Sequence, residues 1–448
     1  MGLTAEIGTF LADMQRCALP PEALAPVRAG FTDCVAVMVA GRDEPVSRIV
    51  AASVGAKVCS DRVLLDLVDA PAAALVYGTA AHAIDYDDTG LSGHPSAVLV
   101  PAILAESVES GGASGQTMAR AYIAGYEVWA ELIGRDKDQH HLKGWHPTAV
   151  FGTVAAASAS AVIRGLDADR AATAAGISAS LAGGIVANFG TMTKPFQVGR
   201  AAQSGLQATR LAEAGFTASH DAFEHDLGFL RAISPNRAVD TENPAAFGRE
   251  WRILQHGVNI KLYPICYGAH RIVDAMIDVV QRDALRADGI AGVNVEMGEA
   301  SAAILRNHRP QSALDAKFSA EFAMAAAAIA GRCGMRELTN EFVLRRDVQA
   351  FMPKVAVTPL TERSVDEPLH SPFDRVRITL RDNRAVASEP VYYPRGHFKN
   401  PVDAEALWGK FADCIDGAPI DARRLFDVLQ EVDHLASVAD IDTQGARS

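Results

Sequence analysis

Apolar residues recur at spacings of three and four over most of the first 256 positions, punctuated by Gly and Pro. That periodicity predicts helix after helix. Segments that carry it include Pro21–Gly41, Ala72–Thr89, Gly115–Gly134, His146–Gly165, Asp169–Phe189 and Gly199–Gly215. Many of the contact positions are Ala, Ser or Gly, which lets helix axes approach closely in a dense bundle.

The texture changes after 257. Val293–Met297, Val355–Thr358 and Arg375–Arg381 read as strands, the last alternating cleanly with Val376, Ile378 and Leu380 on one face. Asp382-Asn383 turns into a return strand over Ala385–Val391. Between them, Ala316–Cys333 is an Ala-rich apolar helix. Helical texture resumes after Pro401, through Ala404–Ile415 and Asp421–His434, and the tail from Asp440 reads as frayed. The expected architecture is mainly α. A discontinuous all-helical domain, 1–256 plus 393–448, carries an inserted α+β domain, 257–392.

A chain of 448 residues fits two cores better than one. Six scattered cysteines without a CxxC pair fit a reducing cytoplasm rather than a disulfide framework or zinc ribbon. No basic stretch leads into an apolar run at the N-terminus, so a cytoplasmic location is expected. The longest apolar run, Thr148–Ile163, is shorter than a bilayer requires and reads as an interior helix rather than a membrane span. The net charge of −12 argues against a nucleic-acid partner. An anionic substrate then needs a local cation cluster, and Lys143, Lys194, Arg200, Lys261 and Arg271 are the supply.

The densest chemistry lies in His82-Ala-Ile-Asp85-Tyr-Asp87-Asp88-Thr89-Gly-Leu-Ser-Gly-His94-Pro. If the preceding helix continues to Thr89, His82, Asp85 and Thr89 share one face. Such groups beside an apolar core are costly unless paired or used. Asp87 and Asp88 read as solvated helix-end residues. The same segment resembles a hard-metal or zinc ligand set. Against that, Asp85 falls opposite Asp87 on a helix, and His82 and His94 fall on different elements, so no metal is expected.

Three further motifs carry polar residues in apolar settings. In Gly144-Trp-His146-Pro, Pro147 opens a helix and His146 projects at its positive end, either as a neutral base or as a mere cap. In Thr193-Lys194-Pro, the lysine sits in a loop between two helices, aimed at a carboxylate or simply solvated. In Lys261-Leu-Tyr263-Pro, Lys261 interrupts an apolar run, as a buried base or as a junction lysine reaching water. His270 and Arg271 open the helix that follows. No Walker loop, dinucleotide-binding GxGxxG or GxSxG elbow is present.

Taken in order, these motifs resemble the MmgE/PrpD family, whose activities include 2-methylcitrate dehydration, cis-aconitate decarboxylation and iminodisuccinate epimerisation. The resemblance runs through Ala124-Gly-Tyr-Glu127 to Gly396-His-Phe-Lys-Asn-Pro401. It implies a large helical domain, a smaller α+β lid, a homodimer, and an active site between the domains that works without metal or organic cofactor. It implies functional roles for Asp85, Thr89, His94, His146, Lys194 and Lys261. Phe322 departs from the family pattern, standing where a tyrosine is expected, which puts decarboxylation in doubt. The shared chemistry is proton movement at carbon beside a carboxylate of a small di- or tricarboxylate. The expected reaction is two-base epimerisation of an iminodisuccinate-type acid by His146 with Lys194 or Lys261, tuned by Asp85. Thr89, Arg200, Tyr263, His270 and Arg271 are candidate substrate contacts. The alternatives are a dehydratase using His94 or His146 as acid, a decarboxylase, and a non-catalytic carboxylate-binding protein.

Overall fold

The computed structural model describes residues 2–57, 60–65, 69–136, 138, 140–365 and 370–445. The chain forms two compact units, Met1–Ile260 with Ala404–Ser448, and Lys261–Asp403. Sequence texture put these borders at 256/257 and 392/393. Backbone pairing of Asn259 with Thr89 keeps the residues just after 256 with the helices. The Asp274 carboxylate accepts from the Arg395 backbone N–H at 2.7 Å and from its guanidinium at 2.9 Å, which holds 393–403 in the second unit.

The first unit is built on α1 (Leu3–Met14), α2 (Leu24–Gly41), α3 (Pro45–Ser53), α4 (Ala70–His82), α5 (Pro95–Glu109), α6 (Gly115–Gly134), α7 (Pro147–Ile163), α8 (Ala168–Leu181) and α9 (Thr193–Glu213). Helix α7 is buried along its whole length except at Ile163, as a helix apolar all round must be. It packs against α5, α6, α8 and α9, while α4 lies along α5 and α9. Small residues permit the closest crossings. A Cβ on Gly199 of α9 would sit 2.2 Å from the Leu75 carbonyl of α4. One on Gly205 would meet the Ala157 backbone nitrogen of α7 at 2.5 Å. Pro21–Gly41 is long and apolar enough to cross a membrane by length and composition, but two thirds of it is buried inside the protein.

The second unit carries α10 (His270–Arg282), α11 (Ala320–Ala330) and a four-stranded sheet of β1 (Ile290–Gly298), β2 (Val355–Leu360), β3 (Arg375–Leu380) and β4 (Ala385–Ala387), in the order β2-β1-β3-β4. Strands β1 and β2 are parallel, and the other pairs are antiparallel. Val376, Ile378 and Leu380 face the core as their alternation predicts, whereas the return strand stops at Ala387. Helices α12 (Ala404–Ile415) and α13 (Ala422–Gln430) return to the first unit and pack on α2. The molecule is mainly α.

Candidate active site

The site grows from the C-terminal end of α4. That helix stops at His82 rather than running on to Thr89, and Asp85 adopts φ +57°, a left-handed conformation no helix continues through. The chain then turns back through Leu91 and Ser92, also left-handed, to His94 at the start of α5. Three distant groups hold this loop. Trp129 Nε1–H donates to the Leu91 carbonyl at 3.2 Å. Lys410 Nζ of α12 donates to the Tyr86 carbonyl at 2.7 Å. Thr89 and Asn259 exchange backbone hydrogen bonds at 2.9 Å.

This path inverts the expected placement of the acids. Asp87 and Asp88 are completely buried, not solvated. The Asp87 carboxylate accepts from His82 Nδ1–H at 2.9 Å and from His94 Nδ1–H at 3.0 Å. Burial works against its ionised form, but the two imidazoles outweigh that and hold the carboxyl well below the usual range. Asp88 instead accepts from the Ser96 hydroxyl at 2.7 Å and its backbone N–H at 3.2 Å, and burial pushes its carboxyl up. His82 lies entirely out of water; burial lowers its pKa to about 4, so the ring is neutral. Its Nε2 has no hydrogen-bond partner among the described residues.

His146 holds the N-cap position of α7, just before Pro147 in extended backbone, but its side chain makes no capping hydrogen bond. It is 2% exposed, and burial, with His82 and Lys194 nearby, holds its pKa well below 6.5. Lys194 does not lie in a loop between helices. Helix α9 begins at Thr193, six residues earlier than the Gly199 start expected from periodicity, because Pro195 is tolerated in a first turn. Lys194 and Gln197 are therefore one turn apart on one face. Lys194 Nζ meets Asp85 Oδ1 at 3.0 Å and lies 5.4 Å from the centre of the Phe189 ring. His146 Nδ1 lies 2.7 Å from Gln197 Oε1 and packs edge-on against the same Phe189 ring. Ring centres of His82 stand 4.4 Å from His94 and 6.4 Å from His146.

The first unit thus brings Asp85, His94, His146 and Lys194 together. His82, expected on the face shared with Asp85, and Asp87, expected to be solvated, join them, as do Gln197 and Phe189, to which the sequence assigned no site role. The lysine-to-glutamine spacing of three was the available signal for Gln197, hidden by reading that stretch as a loop. Arg200 is not brought in; it is exposed and donates to Gln203 Oε1. Lys143 is tied to the Ala232 and Ser234 carbonyls.

Within the second unit, Lys261 is 1% exposed. The Tyr263 hydroxyl donates to Asp274, which also binds Arg395, so that phenol is held in a buried network. Arg271 donates to the Ser371 carbonyl at 2.8 Å, and His270 is fully buried. Phe322 on α11 is also fully buried, edge-on to Phe342.

Ligand atoms of His82, Asp85, Asp87 and His94 all lie within 4.8 Å of one another. The end of α4 at His82 and the left-handed turn at Asp85 remove the helix that would have set Asp85 opposite Asp87. The donor set remains a poor match for a cation, because Lys194 already neutralises Asp85 and two imidazole N–H groups occupy Asp87. The arrangement is instead suited to moving protons: imidazoles with distinct partners beside an ammonium–carboxylate pair in a largely buried cluster.

The sequence matches the MmgE/PrpD N-terminal domain over residues 5–242 and the MmgE/PrpD C-terminal domain over 263–434. It is 28% identical over 353 residues to the cis-aconitate decarboxylase of Mus musculus, covering 76% of this chain and 70% of that protein. It is 27% identical to the Homo sapiens enzyme, covering 76% and 71%. A cis-aconitate decarboxylase-like protein, oryM of Aspergillus oryzae, is 26% identical across 98% of this chain and 95% of its own length. With both domain models matched along nearly its whole length, this chain belongs to the MmgE/PrpD family.

Proposed function

We propose that this enzyme moves a proton at a carbon next to a carboxylate of a small dicarboxylate, and that the reaction is epimerisation of an iminodisuccinate-type aminodicarboxylate. The observation that carries the reading is the neutral, buried His146 beside the Lys194–Asp85 pair. His146 takes the proton from the substrate carbon. The C–H electron pair passes into the adjacent carboxylate, where Lys194 and His94 stabilise the developing charge. A proton returned to the opposite face by Lys194 completes the inversion. A positioned base contributes roughly 10²–10⁴-fold, and preorganised charge supplies much of the remainder. The chain's own acid and base groups suffice for every step, so activity is expected to survive chelation and dialysis.

Phe322 favours epimerisation over elimination, since it offers no hydroxyl to protonate a leaving group. A second reading is a lyase, favoured by relatives named as cis-aconitate decarboxylases. It uses the same proton delivery to carbon after CO2 departs. Incubation with aminodicarboxylates and citrate-like acids in deuterium oxide separates the two. Epimerisation places deuterium on the α-carbon without forming an alkene or CO2. An unsaturated acid absorbing in the near ultraviolet, or released CO2, overturns it in favour of the lyase.

A further inference from the structure

His94 and His146 both pack against His82, with ring centres 4.4 and 6.4 Å from it, and their Nδ1 atoms rest on chemically different partners. The Gln197 amide is fixed at its far end, where its NH2 donates to the Ile185 carbonyl at 3.1 Å. A carbonyl only accepts, so Oε1 is the atom turned to His146, and His146 Nδ1 must carry the hydrogen at 2.7 Å. In the neutral ring Nε2 is then a bare lone pair. A neutral amide gives no charge to offset a second proton on the ring. His94 Nδ1 faces the Asp87 carboxylate at 3.0 Å and the Asp88 carbonyl at 2.9 Å, both acceptors, so it too carries a hydrogen. Behind it stands a full negative charge.

We propose that Gln197 and Asp87 are positioning residues that assign different roles to the two rings: the amide keeps His146 an acceptor at Nε2, and the carboxylate turns His94 into a donor that faces the charge developing on the substrate carboxylate. This rests on the proton-transfer reading above and names the device behind it. Neither residue touches the reacting carbon; each acts through its histidine. A base and a charge-stabilising donor in one site need environments that pull them apart. Here the difference lies in what stands behind each Nδ1. The charged and titratable groups facing His146 are His82 from α4, His94 from the loop after it, and Lys194 from α9, itself paired with Asp85. Those facing His94 are His82 and Asp87, with His141 and His146 beyond. Among the described residues, only the carboxylate behind His94 is within hydrogen-bond reach of either ring.

The test uses the full-length protein labelled with 15N-histidine, with Gln197→Glu, Gln197→Met and Asp87→Asn variants. Nitrogen shifts of the ligand-free protein are expected to show His146 neutral with hydrogen on Nδ1 at pH 7. In Q197E a carboxylate replaces the amide, so the His146 ring takes up a second proton. The acid limb of kcat/KM then moves to higher pH by about one unit or more, while KM changes less than about threefold. Q197M leaves Nδ1 without an acceptor, and both tautomers appear. In D87N the charge behind His94 Nδ1 is removed, and kcat is expected to fall by on the order of 10²-fold while KM changes less than about threefold. Hydrogen on Nε2 of His146 in the parent protein, or an acid limb unmoved in Q197E, overturns the assignment. If D87N does not fold, the two Gln197 variants decide the matter. The tautomer readout needs no substrate. Correct tautomers with no deuterium placed on any acid therefore defeat the reaction proposed above, and leave the positioning roles standing.

Discussion

Asp85 meets the Lys194 ammonium at 3.0 Å from a backbone held at φ +57°. Aspartate tolerates that left-handed conformation better than most residues, and asparagine tolerates it equally well. Asp85→Asn therefore keeps the turn and removes the charge. The variant is expected to melt within a few degrees of the parent and to lose activity by on the order of 10²-fold, because the ammonium loses its counter-ion and its fixed position. Asp85→Leu, branched and apolar, is expected to lose stability as well. Thermal melting beside steady-state kinetics checks both. An active D85N enzyme removes the pair from the mechanism.

The helices and strands were legible because their periods are local. Gly115–Gly134 begins and ends where its pattern does, and the alternation over Arg375–Leu380 names the face that is buried. Asp85, His94, His146 and Lys194 were also legible, as polar residues in apolar settings. The turn after His82 was not. Asp87 and Asp88 look like surface residues because the partners that bury them lie on the far side of the loop, at His94 and Ser96. The anchor at Tyr86 comes from Lys410, more than 300 positions away, where no spacing rule reaches. Gln197 was missed for the opposite reason, a purely local one: Pro195 reads as a helix breaker, whereas it sits within a first turn.

The buried imidazole of His82 makes stability depend on pH with a definite sign. Its folded pKa of about 4 lies below the ordinary 6.5, so the unfolded chain binds its proton first. The stabilising contribution of the neutral ring is complete above 6.5 and is lost as pH falls toward 4. A difference of that size corresponds to about 3 kcal/mol at most. His146 is shifted the same way and adds to the loss, while Asp88, shifted up, opposes it. Comparing the parent with His82→Gln cancels the other groups. The stability difference between the two is expected to shrink by roughly 1.4 kcal/mol per pH unit as pH falls from 6 to 4. Parallel curves for the two proteins rule out His82 as a source of that slope.

Contact between α4 and α9 sets the distance between the two halves of the site, since α4 leads to Asp85 and α9 carries Lys194. A Cβ on Gly199 would lie 2.2 Å from the Leu75 carbonyl and 2.4 Å from the Thr79 hydroxyl. Neither the carbonyl nor a helix-bound threonine can move aside without shifting a helix axis. Gly199→Ala is expected to cost about 1–3 kcal/mol and to lower turnover further by displacing Lys194 from Asp85. Gly183→Ala, where a Cβ meets nothing within 4 Å, is the control, with stability close to the parent. Chemical denaturation of both variants measures the difference, and equal midpoints would remove the close crossing as a constraint.

Lys410 is buried with its ammonium on three partners: the Tyr86 carbonyl at 2.7 Å, the Tyr86 ring 4.1 Å from its centre, and the Asp33 carboxylate in close contact. The lysine belongs to α12, so the C-terminal helices fasten the loop that bears Asp85, Asp87 and His94. Lys410→Met retains the stem and removes the charge. It leaves Asp33, fully buried on α2, without its cation, at a cost of about 3–5 kcal/mol. Neutralising the acid in the same protein, with Asp33→Asn, is expected to recover most of that loss, since the penalty belongs to the stranded carboxylate. Activity is expected to stay low in the double variant, because the Tyr86 carbonyl has still lost its donor and the loop its tether. Melting and kinetics on the single and double variants separate the two contributions. Recovery of both together would mean that Lys410 serves only to neutralise Asp33.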